Sequence, residues 1–582
     1  MRNYRPTILI CGLLFALSTT TVFPEDGYHS YQELTRALQN LEKSHPNLVH
    51  LQSIGKTREN RDIWLVRVSN EQKGNPDEKS ALFLCGNIEG DHLVGSEAVL
   101  ATIQYLLNNY GKDEKTTQML DQHVCYFVPR VSPDASEHFF AKIKTAQRTN
   151  LTPTDEDDDG FVDEDPPEDL NGDGFITQMR VRDPEGTYFP DPDETRILKK
   201  ADPAKGEEGL FTLYTEGIDN DHDGKYNEDP IGGVNIDRNF PHNYPYFEKD
   251  AGQYMTSESE TRALINFLLE HRNVSIVLAY SVYDNLINTP KPSPSRPAAQ
   301  PTEDESDMRR FFMARKAETT INKDDLPYFQ KISEDYKNIV GIKSGRQDDS
   351  SEKPGGAFYE WAYFQYGVIA CSTPIWQLPE IKAEKDTSAA PKRPPSSQGE
   401  KKIPSDDVKW LQWIDKTQNG VGFVPWEKYT HPTLGEVEIG GFDPFIRTNP
   451  PKAPPADILE KHTKFVVSLG QLFPRIEIQN LTITKKADSI YEIECIIQNK
   501  GYLPTALEHG ARARAVKPIV ARLDGANFEI LAGNKLEFVN SLPGSGGTKK
   551  WTWMIKAKSG TSLSLLVNSE KAGNIVEKIV LK

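Results

Sequence analysis

The chain has 582 residues and a formal net charge of −17, from 68 basic and 85 acidic side chains. This charge argues against binding to nucleic acid or to an anionic membrane surface, because both need clustered Lys and Arg. At roughly 150 residues per domain, the length favours two to four domains. The 5 cysteines are scattered along the chain, which argues against a disulfide framework.

The first 18 residues have the composition of a secretory signal peptide. Arg2 and Arg5 give a basic start, and residues 7–17 form an apolar stretch. This stretch is too short to cross a bilayer as a stable helix, and no later segment of the sequence reaches 18 apolar residues. The sequence therefore predicts a secreted or periplasmic protein without a membrane span.

Between residues 26 and 468, runs with helical spacing alternate with short, buried-strand runs. The helical runs cover 31–41, 96–107 and 256–269, and the clearest strand runs cover 81–84, 124–128 and 274–280. Such alternation predicts an α/β domain with a mostly parallel sheet. Three segments of different composition interrupt it: an acidic insert at 151–231, a Pro-rich insert at 289–304 and a low-complexity linker at 381–405, which we expect to be disordered.

The C-terminal part, residues 470–582, changes to a period of two. Apolar and polar residues alternate in several short runs there, which predicts an all-β sandwich. The segment contains no cluster of residues typical of catalysis. We interpret it as a structural or docking module.

The acidic insert contains three loops with oxygen-bearing side chains at alternate positions before a glycine. The candidate ligands are Asp155, Asp157, Asp159, Asp163 and Asp165 in the first loop, Asp169, Asn171 and Asp173 in the second, and Asp219, Asp221, Asp223, Asn227 and Asp229 in the third. This spacing suits a hard cation, with the glycine supplying the turn, and predicts bound calcium. None of the loops has the twelfth-position Glu of an EF-hand, and the alternative is a solvated acidic loop without an ion.

Several sequence patches in a fixed order resemble the zinc carboxypeptidase family, of the carboxypeptidase A type. They are Gly86-Asn87-Ile88, Ser132-Pro133-Asp134, Asn235-Ile236-Asp237-Arg238-Asn239-Phe240 and Gly355-Gly356-Ala357-Phe358-Tyr359-Glu360-Trp361. The resemblance covers about residues 28–450. It implies a mixed, mainly parallel eight-stranded sheet flanked by helices, in a bacterial branch that carries acidic inserts and a C-terminal sandwich.

In that family, a His-x-x-Glu pair and a distant His bind zinc and leave one position for water. A separate Glu acts as general base. The matching positions here differ: Glu89 and His92 carry the first pair in exchanged order, and Ser281 stands in place of the distant His. Pro374 stands in place of the catalytic Glu. The resemblance thus marks a zinc position and a general-base position, but with degenerate residues.

The family's substrate-binding groups are better preserved. Arg148 matches the arginine that polarises the scissile carbonyl, and Arg238 matches the arginine that binds the substrate's terminal carboxylate. Asp237 stands where an Asn is usual beside that arginine, and an acid there is expected to compensate the charge of Arg238 and to compete with a carboxylate ligand. Tyr283 completes the predicted substrate-binding set.

Three hypotheses follow from the sequence. The first is a secreted family member that has lost peptidase activity and keeps a cleft for peptide or protein C-termini. The second is an active metallocarboxypeptidase with a rearranged zinc site, which uses Glu89, His92 and a third ligand such as His242 or Asp237. The third is a calcium-dependent interaction or scaffold protein. Calcium is expected in the acidic loops, and zinc is left open.

Overall fold

The computed structural model describes residues 27–155, 160–224, 226–227, 229–290, 318–342, 355–379 and 405–582. The predicted signal peptide, Asp157, Asp159 and nearly all of the 289–304 and 381–405 segments lie outside the described residues. Within the described ranges, we find no helix with the length and apolar character needed to cross a membrane.

The helices and strands alternate as the sequence predicts through the first part of the chain. The helices are α1 (Tyr31–Ser44), α2 (Leu93–Asn109), α3 (Glu114–Gln122), α4 (Pro133–Ser136), α5 (Ser259–Glu270), α6 (Leu326–Val340), α7 (Phe358–Trp361), α8 (Asp406–Thr417), α9 (Ala456–Leu469) and α10 (Glu508–Arg512). The strands are β1 (Val49–Lys56), β2 (Asp62–Val68), β3 (Ala81–Gly86), β4 (Val124–Val128), β5 (Gln178–Arg182), β6 (Tyr188–Asp191), β7 (Glu194–Lys200), β8 (Phe211–Thr215), β9 (Val274–Tyr280), β10 (Ile369–Thr373), β11 (Phe423–His431), β12 (Gly435–Phe442), β13 (Ile476–Ala487), β14 (Ile490–Asn499), β15 (Ile519–Gly525), β16 (Phe528–Ala532), β17 (Glu537–Val539), β18 (Thr548–Ala557), β19 (Ser562–Ser569) and β20 (Gly573–Val580).

The main domain is built on a mixed sheet with the strand order β1-β2-β4-β3-β9-β10. The pairs β4/β3, β3/β9 and β9/β10 are parallel, and the pairs β1/β2 and β2/β4 are antiparallel. The α/β fold class is confirmed. The sheet has six strands among the described residues, where the resemblance implies eight.

The parallel strands bring the site residues to one edge of the sheet. Every residue of β3, β4, β9 and β10 is buried, as expected for parallel strands covered on both faces. In the register, Gly86 at the end of β3 pairs with Tyr280 at the end of β9. The loops that follow these two strands therefore begin side by side, which is where ligands bind in open α/β sheets.

Gly86 allows the chain to turn closely from β3 into α2. A Cβ atom at this position would lie only 2.5 Å from the carbonyl oxygen of Gly95. The approach of strand and helix backbones thus requires a glycine. This close approach fixes the position of the short loop between β3 and α2, which carries Glu89 and His92 at the predicted zinc position.

The acidic insert contributes a second sheet that the composition did not predict. Four of its strands, β5 to β8, combine with β11 and β12 in an antiparallel sheet of order β11-β12-β5-β8-β6-β7. The insert is acidic overall, but residues 178–182 and 211–215 have enough apolar side chains to pair with the hairpin of residues 423–442. The insert therefore includes a folded layer as well as loops.

The C-terminal part is a β-sandwich, as predicted. Its two four-stranded sheets have the orders β13-β14-β18-β16 and β17-β15-β19-β20. Side chains of β14 alternate between buried and half-buried positions along the whole strand, the pattern expected when one face covers a core. This module has a hydrophobic core of its own.

The sandwich is fixed firmly to the main domain, at the amino end of β9. The ammonium group of Lys571 donates hydrogen bonds of 2.7 Å to the backbone oxygens of Arg272 and Val274. Burial lowers the pKa of Lys571 well below its usual range. Asp325 also accepts hydrogen bonds from the first two backbone N–H groups of α10. The contact lies at the end of β9 opposite to Ser281.

Candidate functional site

A buried serine lies between two buried carboxyl groups at the edge described above. Ser281 follows β9, Glu89 follows β3, and Asp237 lies in the 3₁₀ turn Ile236–Arg238. The hydroxyl of Ser281 lies 2.8 Å from Oε1 of Glu89 and 2.6 Å from Oδ2 of Asp237. All three residues have no exposed surface. We call this set the Glu89–Ser281–Asp237 cluster.

Backbone N–H groups hold the cluster in place. Phe358, the first residue of α7, donates to Oδ1 of Asp237 at 2.7 Å. Tyr283 donates its backbone N–H to the Ser281 oxygen at 3.2 Å, and Val282 donates to Oε1 of Glu89 at 3.4 Å. The cluster thereby ties together the ends of two central strands, the 3₁₀ turn and the start of α7.

Burial dominates the electrostatics of these carboxyl groups. Desolvation raises the pKa of Glu89, and the nearby charge of Asp237 raises it further. Desolvation also raises the pKa of Asp237, although hydrogen bonds from Ser281 and Phe358 act in the opposite direction. Both groups therefore favour the protonated state more than free carboxyls do.

His92 is separate from this cluster in its interactions. Its side chain is buried at the start of α2, and neither ring nitrogen has a partner in good hydrogen-bond geometry. Burial lowers the pKa of His92 to about 4, so the ring is neutral at pH 7. His242, the other histidine considered as a ligand, stacks on the ring of Phe364 at a centroid distance of 4.1 Å.

Arg148 provides the most accessible charge near the cluster. Its side chain is 48% exposed, and its guanidinium group lies 3.4 Å from Oδ2 of the buried Asp91. The charge of Asp91 raises the pKa of Arg148. A distance of 3.4 Å is long for an ion pair, so the Arg148–Asp91 pair is weak. Most of the five N–H donors of the guanidinium group take no part in this pair.

Arg238 and Asp237 are neighbours in the chain, but their side chains have different partners. Arg238 pairs with Asp250 at 3.2 Å and is 18% exposed. The two carboxyl oxygens of Asp237 instead contact the hydroxyl of Ser281 and accept the backbone N–H of Phe358. The expected compensation of Arg238 by Asp237 therefore does not occur in the described structure, and Asp237 has no exposed surface.

Pro374, at the predicted general-base position, has no acidic or basic group. Pro374 directly follows Thr373, the last residue of β10, so it lies at the same edge of the sheet as the cluster. A different carboxyl group, that of Glu360, was not among the predicted site residues, although it lies within the patch at residues 355–361. Oε2 of Glu360 is buried without a hydrogen-bond partner, and burial raises its pKa to about 8. Its charge also affects Asp237.

Tyr283 follows the cluster closely in the chain, and its backbone N–H donates to Ser281. It is half-buried, and its ring centroid is 6.5 Å from that of Tyr359. Burial raises the pKa of Tyr359 well above its usual range, and the nearby carboxyl groups of Glu360 and Asp237 raise it further. The surroundings of the cluster thus combine aromatic rings with more acidic than basic groups.

The third acidic loop has the most compact set of oxygen atoms. Asp219, Asp221 and Asp223 each offer a carboxylate oxygen within 4.8 Å of the others. The backbone N–H of Gly224 donates to Oδ2 of Asp219 at 3.1 Å, and Asp165 of the first loop accepts from the backbone of Asn227. The first and third loops are therefore folded against each other.

The second loop forms a tight turn without such a set. The backbone N–H groups of Gly172, Asp173 and Gly174 donate to the carboxylate of Asp169. The amide of Asn171 donates to Asp173 at 3.1 Å. These carboxylates are thus engaged with their own loop.

Comparison with known proteins agrees with the fold. A family model described as zinc carboxypeptidase matches residues 34–175 and 206–377, more than half of the chain. The chain belongs to the zinc carboxypeptidase family. A second model, described as a domain of unknown function, matches residues 475–580, which correspond to the β-sandwich of this zinc carboxypeptidase family member.

Individual relatives match shorter stretches. Carboxypeptidase D of Rattus norvegicus is 33% identical over 148 residues, which cover 25% of this chain and 11% of the relative. A zinc carboxypeptidase of Saccharothrix mutabilis subsp. capreolus is 31% identical over 115 residues, covering 20% of this chain and 26% of the relative. Carboxypeptidase A from Helicoverpa armigera is a structural neighbour with 14% identity and a TM-score of 0.37, covering 60% of this chain and 64% of that one.

Zinc is the usual metal of this family, and the residues at its position do not suit it here. Among the described residues, the only three His, Cys, Asp or Glu side chains with mutually close ligand atoms are Asp219, Asp221 and Asp223. Glu89 and His92 thus lack a third such ligand, and catalytic zinc sites use three protein ligands. Ser281 offers a neutral hydroxyl already engaged with two carboxyls.

Proposed function

We propose that this protein is a non-catalytic member of the zinc carboxypeptidase family that binds peptide or protein C-termini. One observation carries the proposal. The hydroxyl of Ser281 fills the space between Glu89 and Asp237, at hydrogen-bond distance from both, where the family resemblance places a zinc ligand.

The chemistry of hydrolysis would lack both of its main groups. Without three protein ligands, a zinc ion would be held weakly and would not supply an activated water. Pro374 cannot accept a proton at the general-base position. Glu360 has a raised pKa and would be protonated near neutral pH, so it does not replace that base.

The experiment that tests this proposal measures zinc and hydrolysis in the same sample. The purified full chain is incubated with excess zinc, freed of unbound metal and examined by elemental analysis and with C-terminally varied peptides. We expect far less than one equivalent of zinc and no release of C-terminal amino acids. Stoichiometric zinc together with amino-acid release that a chelator abolishes would establish the rearranged active site instead.

Arg148 supports the binding part of the proposal. Its half-exposed guanidinium lies beside the cluster and pairs only loosely with Asp91. Guanidinium groups bind carboxylates through two parallel hydrogen bonds. The terminal carboxylate of a peptide is a ligand that this group can hold through such a pair of hydrogen bonds.

Arg148→Ala is expected to weaken binding of a C-terminal peptide about tenfold or more, because a charged hydrogen bond contributes about 1.5–3 kcal/mol. Fluorescence anisotropy with labelled peptides measures the change, and a C-terminally amidated peptide should bind equally weakly to both proteins. Arg447→Ala is the matched control, since Arg447 is 50% exposed and also pairs with one aspartate, Asp407. Unchanged affinity in Arg148→Ala would exclude a carboxylate contact there.

We also propose that the acidic loops bind calcium, with the third loop as the best candidate. The three close carboxylate oxygens of Asp219, Asp221 and Asp223 support this, as does the alternate spacing before Gly224. Hard oxygen ligands of this kind suit calcium better than zinc. Contact between the first and third loops would let a bound ion stabilise both.

Calcium at about 100 times its Kd is expected to add about 2.7 kcal/mol to the unfolding free energy. Differential scanning calorimetry should show this as a rise of a few degrees in the Tm of one transition. The double variant Asp219→Asn/Asp221→Asn should lose the rise, whereas Asp488→Asn, at a fully exposed position in the sandwich, should keep it. A rise that survives the double variant would place the ion elsewhere.

Export from the cytoplasm remains a proposal that the sequence supports. The basic and apolar pattern of residues 1–18 is typical of a signal peptide, and calcium is abundant outside the cell. N-terminal sequencing of the protein recovered from culture medium or periplasm tests this directly, and an intact N-terminus on cytoplasmic protein would contradict it.

A further inference from the structure

The hydroxyl of Ser281 contacts two carboxyl oxygens but has only one proton to donate. A serine hydroxyl donates a single hydrogen bond and accepts up to two. Its oxygen lies 2.6 Å from one carboxyl oxygen and 2.8 Å from another, and it accepts the backbone N–H of Tyr283. One carboxyl group can receive the serine proton, so the other must bring a proton of its own.

We infer that Glu89 and Asp237 share one proton through the hydroxyl of Ser281, so that a proton occupies the position that zinc holds in the family. The inference rests on the proposed absence of zinc. In this arrangement Ser281 donates to the ionised carboxylate and accepts from the protonated carboxyl. All three hydrogen bonds of the serine hydroxyl are then satisfied in ordinary geometry.

Two ionised carboxylates would be unstable in this environment. Neither Glu89 nor Asp237 has exposed surface, and a buried charge is costly unless it is paired. Two like charges that contact the same hydroxyl would add repulsion, which is why such carboxyl pairs hold one proton between them. The raised pKa values of both groups agree with this picture.

The neighbouring groups do not supply enough positive charge to remove the proton. Arg148 is the cation that acts on Glu89 and lowers its pKa, but it already pairs with Asp91. Glu360 acts on Asp237 from the adjoining α7 and raises its pKa. The thiol of Cys85, inside β3, is neutral because burial and the two carboxyls raise its pKa. The net effect favours one retained proton.

The shared proton gives the cluster a structural role. It lets the ends of β3 and β9, the 3₁₀ turn at Asp237 and the start of α7 be joined by hydrogen bonds instead of metal bonds. The same contacts occupy the ligand atoms that zinc would need, so the cluster competes with metal binding.

Infrared difference spectroscopy of the full chain tests the inference, because a protonated carboxyl has a carbonyl stretch that shifts in ²H₂O. Spectra at pH 7 are compared for the wild type, Glu89→Gln, Asp237→Asn and the double variant. Each single variant should lose the same one band, and the double variant should lose no more. Glu360→Gln is the matched control, since it should remove a separate band from a buried carboxyl in the same region.

The outcomes separate this inference from the proposed function. Loss of two independent bands, or of none, in zinc-free protein would overturn the shared proton and leave the non-catalytic proposal intact. One equivalent of zinc in the wild type would overturn both. If the variants of the cluster do not fold, the wild-type bands in H₂O and ²H₂O decide by themselves, because an ionised pair gives no such band beyond those removed in Glu360→Gln and Glu260→Gln.

Discussion

The triple variant Glu89→His/His92→Glu/Ser281→His is expected to bind one equivalent of zinc, at least about 100-fold more tightly than the wild type. These changes recreate the His-x-x-Glu pair and the distant His that the family resemblance places at the ends of β3 and β9. Because these strand ends are adjacent in the parallel register, the new side chains start from neighbouring backbone positions. Three protein ligands are the number that catalytic zinc sites use.

Zinc affinity is measured by competition with a chromophoric chelator, after circular dichroism has shown that the variant is folded. Ser281→His alone is the matched control. It should bind zinc weakly, because His92 is separate from the Glu89–Ser281–Asp237 cluster in its interactions. Tight binding by this single variant would support the rearranged site that uses the exchanged order.

Restored zinc is not expected to restore hydrolysis. Pro374 remains at the general-base position and cannot accept a proton from a metal-bound water. Peptide assays of the zinc-loaded triple variant should therefore match those of the wild type. Hydrolysis by the triple variant would show that another group, such as Glu360, can act as the base.

The second large effect is a loss of stability as the pH rises above the ordinary carboxyl range. The folded pKa values of Glu89 and Asp237 are raised, so the folded protein keeps a proton that the unfolded chain has released. The unfolding free energy then falls as the pH increases, from about pH 4 up to the raised pKa. Each retained proton gives a slope of about 1.4 kcal/mol per pH unit in this window.

Glu89→Gln should remove one proton's share of this slope, because the amide can donate to Ser281 without being titrated. Urea unfolding at pH 5 to 9 measures it, and a slope from Glu360 and Glu260 should remain, since burial raises the pKa of these groups to about 8 and about 7. Glu529→Gln is the control, at an exposed position of β16. A slope identical in wild type and Glu89→Gln would mean that Glu89 is ionised in the folded protein.

The sequence determined the fold class and predicted which positions carry residues unusual for the family. The buried runs of β3, β4 and β9 and the helical spacing between them were sufficient to predict a parallel α/β sheet, because burial on both faces demands continuous apolar strands. The alternation after residue 470 was sufficient for the sandwich. The replacements at Ser281 and Pro374 are visible without a structure, since they concern residue types.

The sequence did not predict which side chains meet. Asp237 and Arg238 are adjacent in the chain and were expected to interact, but the 3₁₀ turn sends their side chains to different partners, Ser281 and Asp250. The strands β5 to β8 were hidden in the acidic insert, because strand pairing with a hairpin more than 200 residues away outweighs local composition.

Sequence alone predicted that this family member lacks the usual zinc ligands and general base. Only the tertiary structure decided what replaces them. Whether Glu89 is an isolated charge, a ligand or half of a carboxyl pair depends on the contacts of 2.6 and 2.8 Å that Ser281 makes with Asp237 and Glu89, residues 44 and 192 positions earlier in the chain. Those distances are set by the register of parallel strands and by burial, and burial determines whether two carboxyl groups keep a proton.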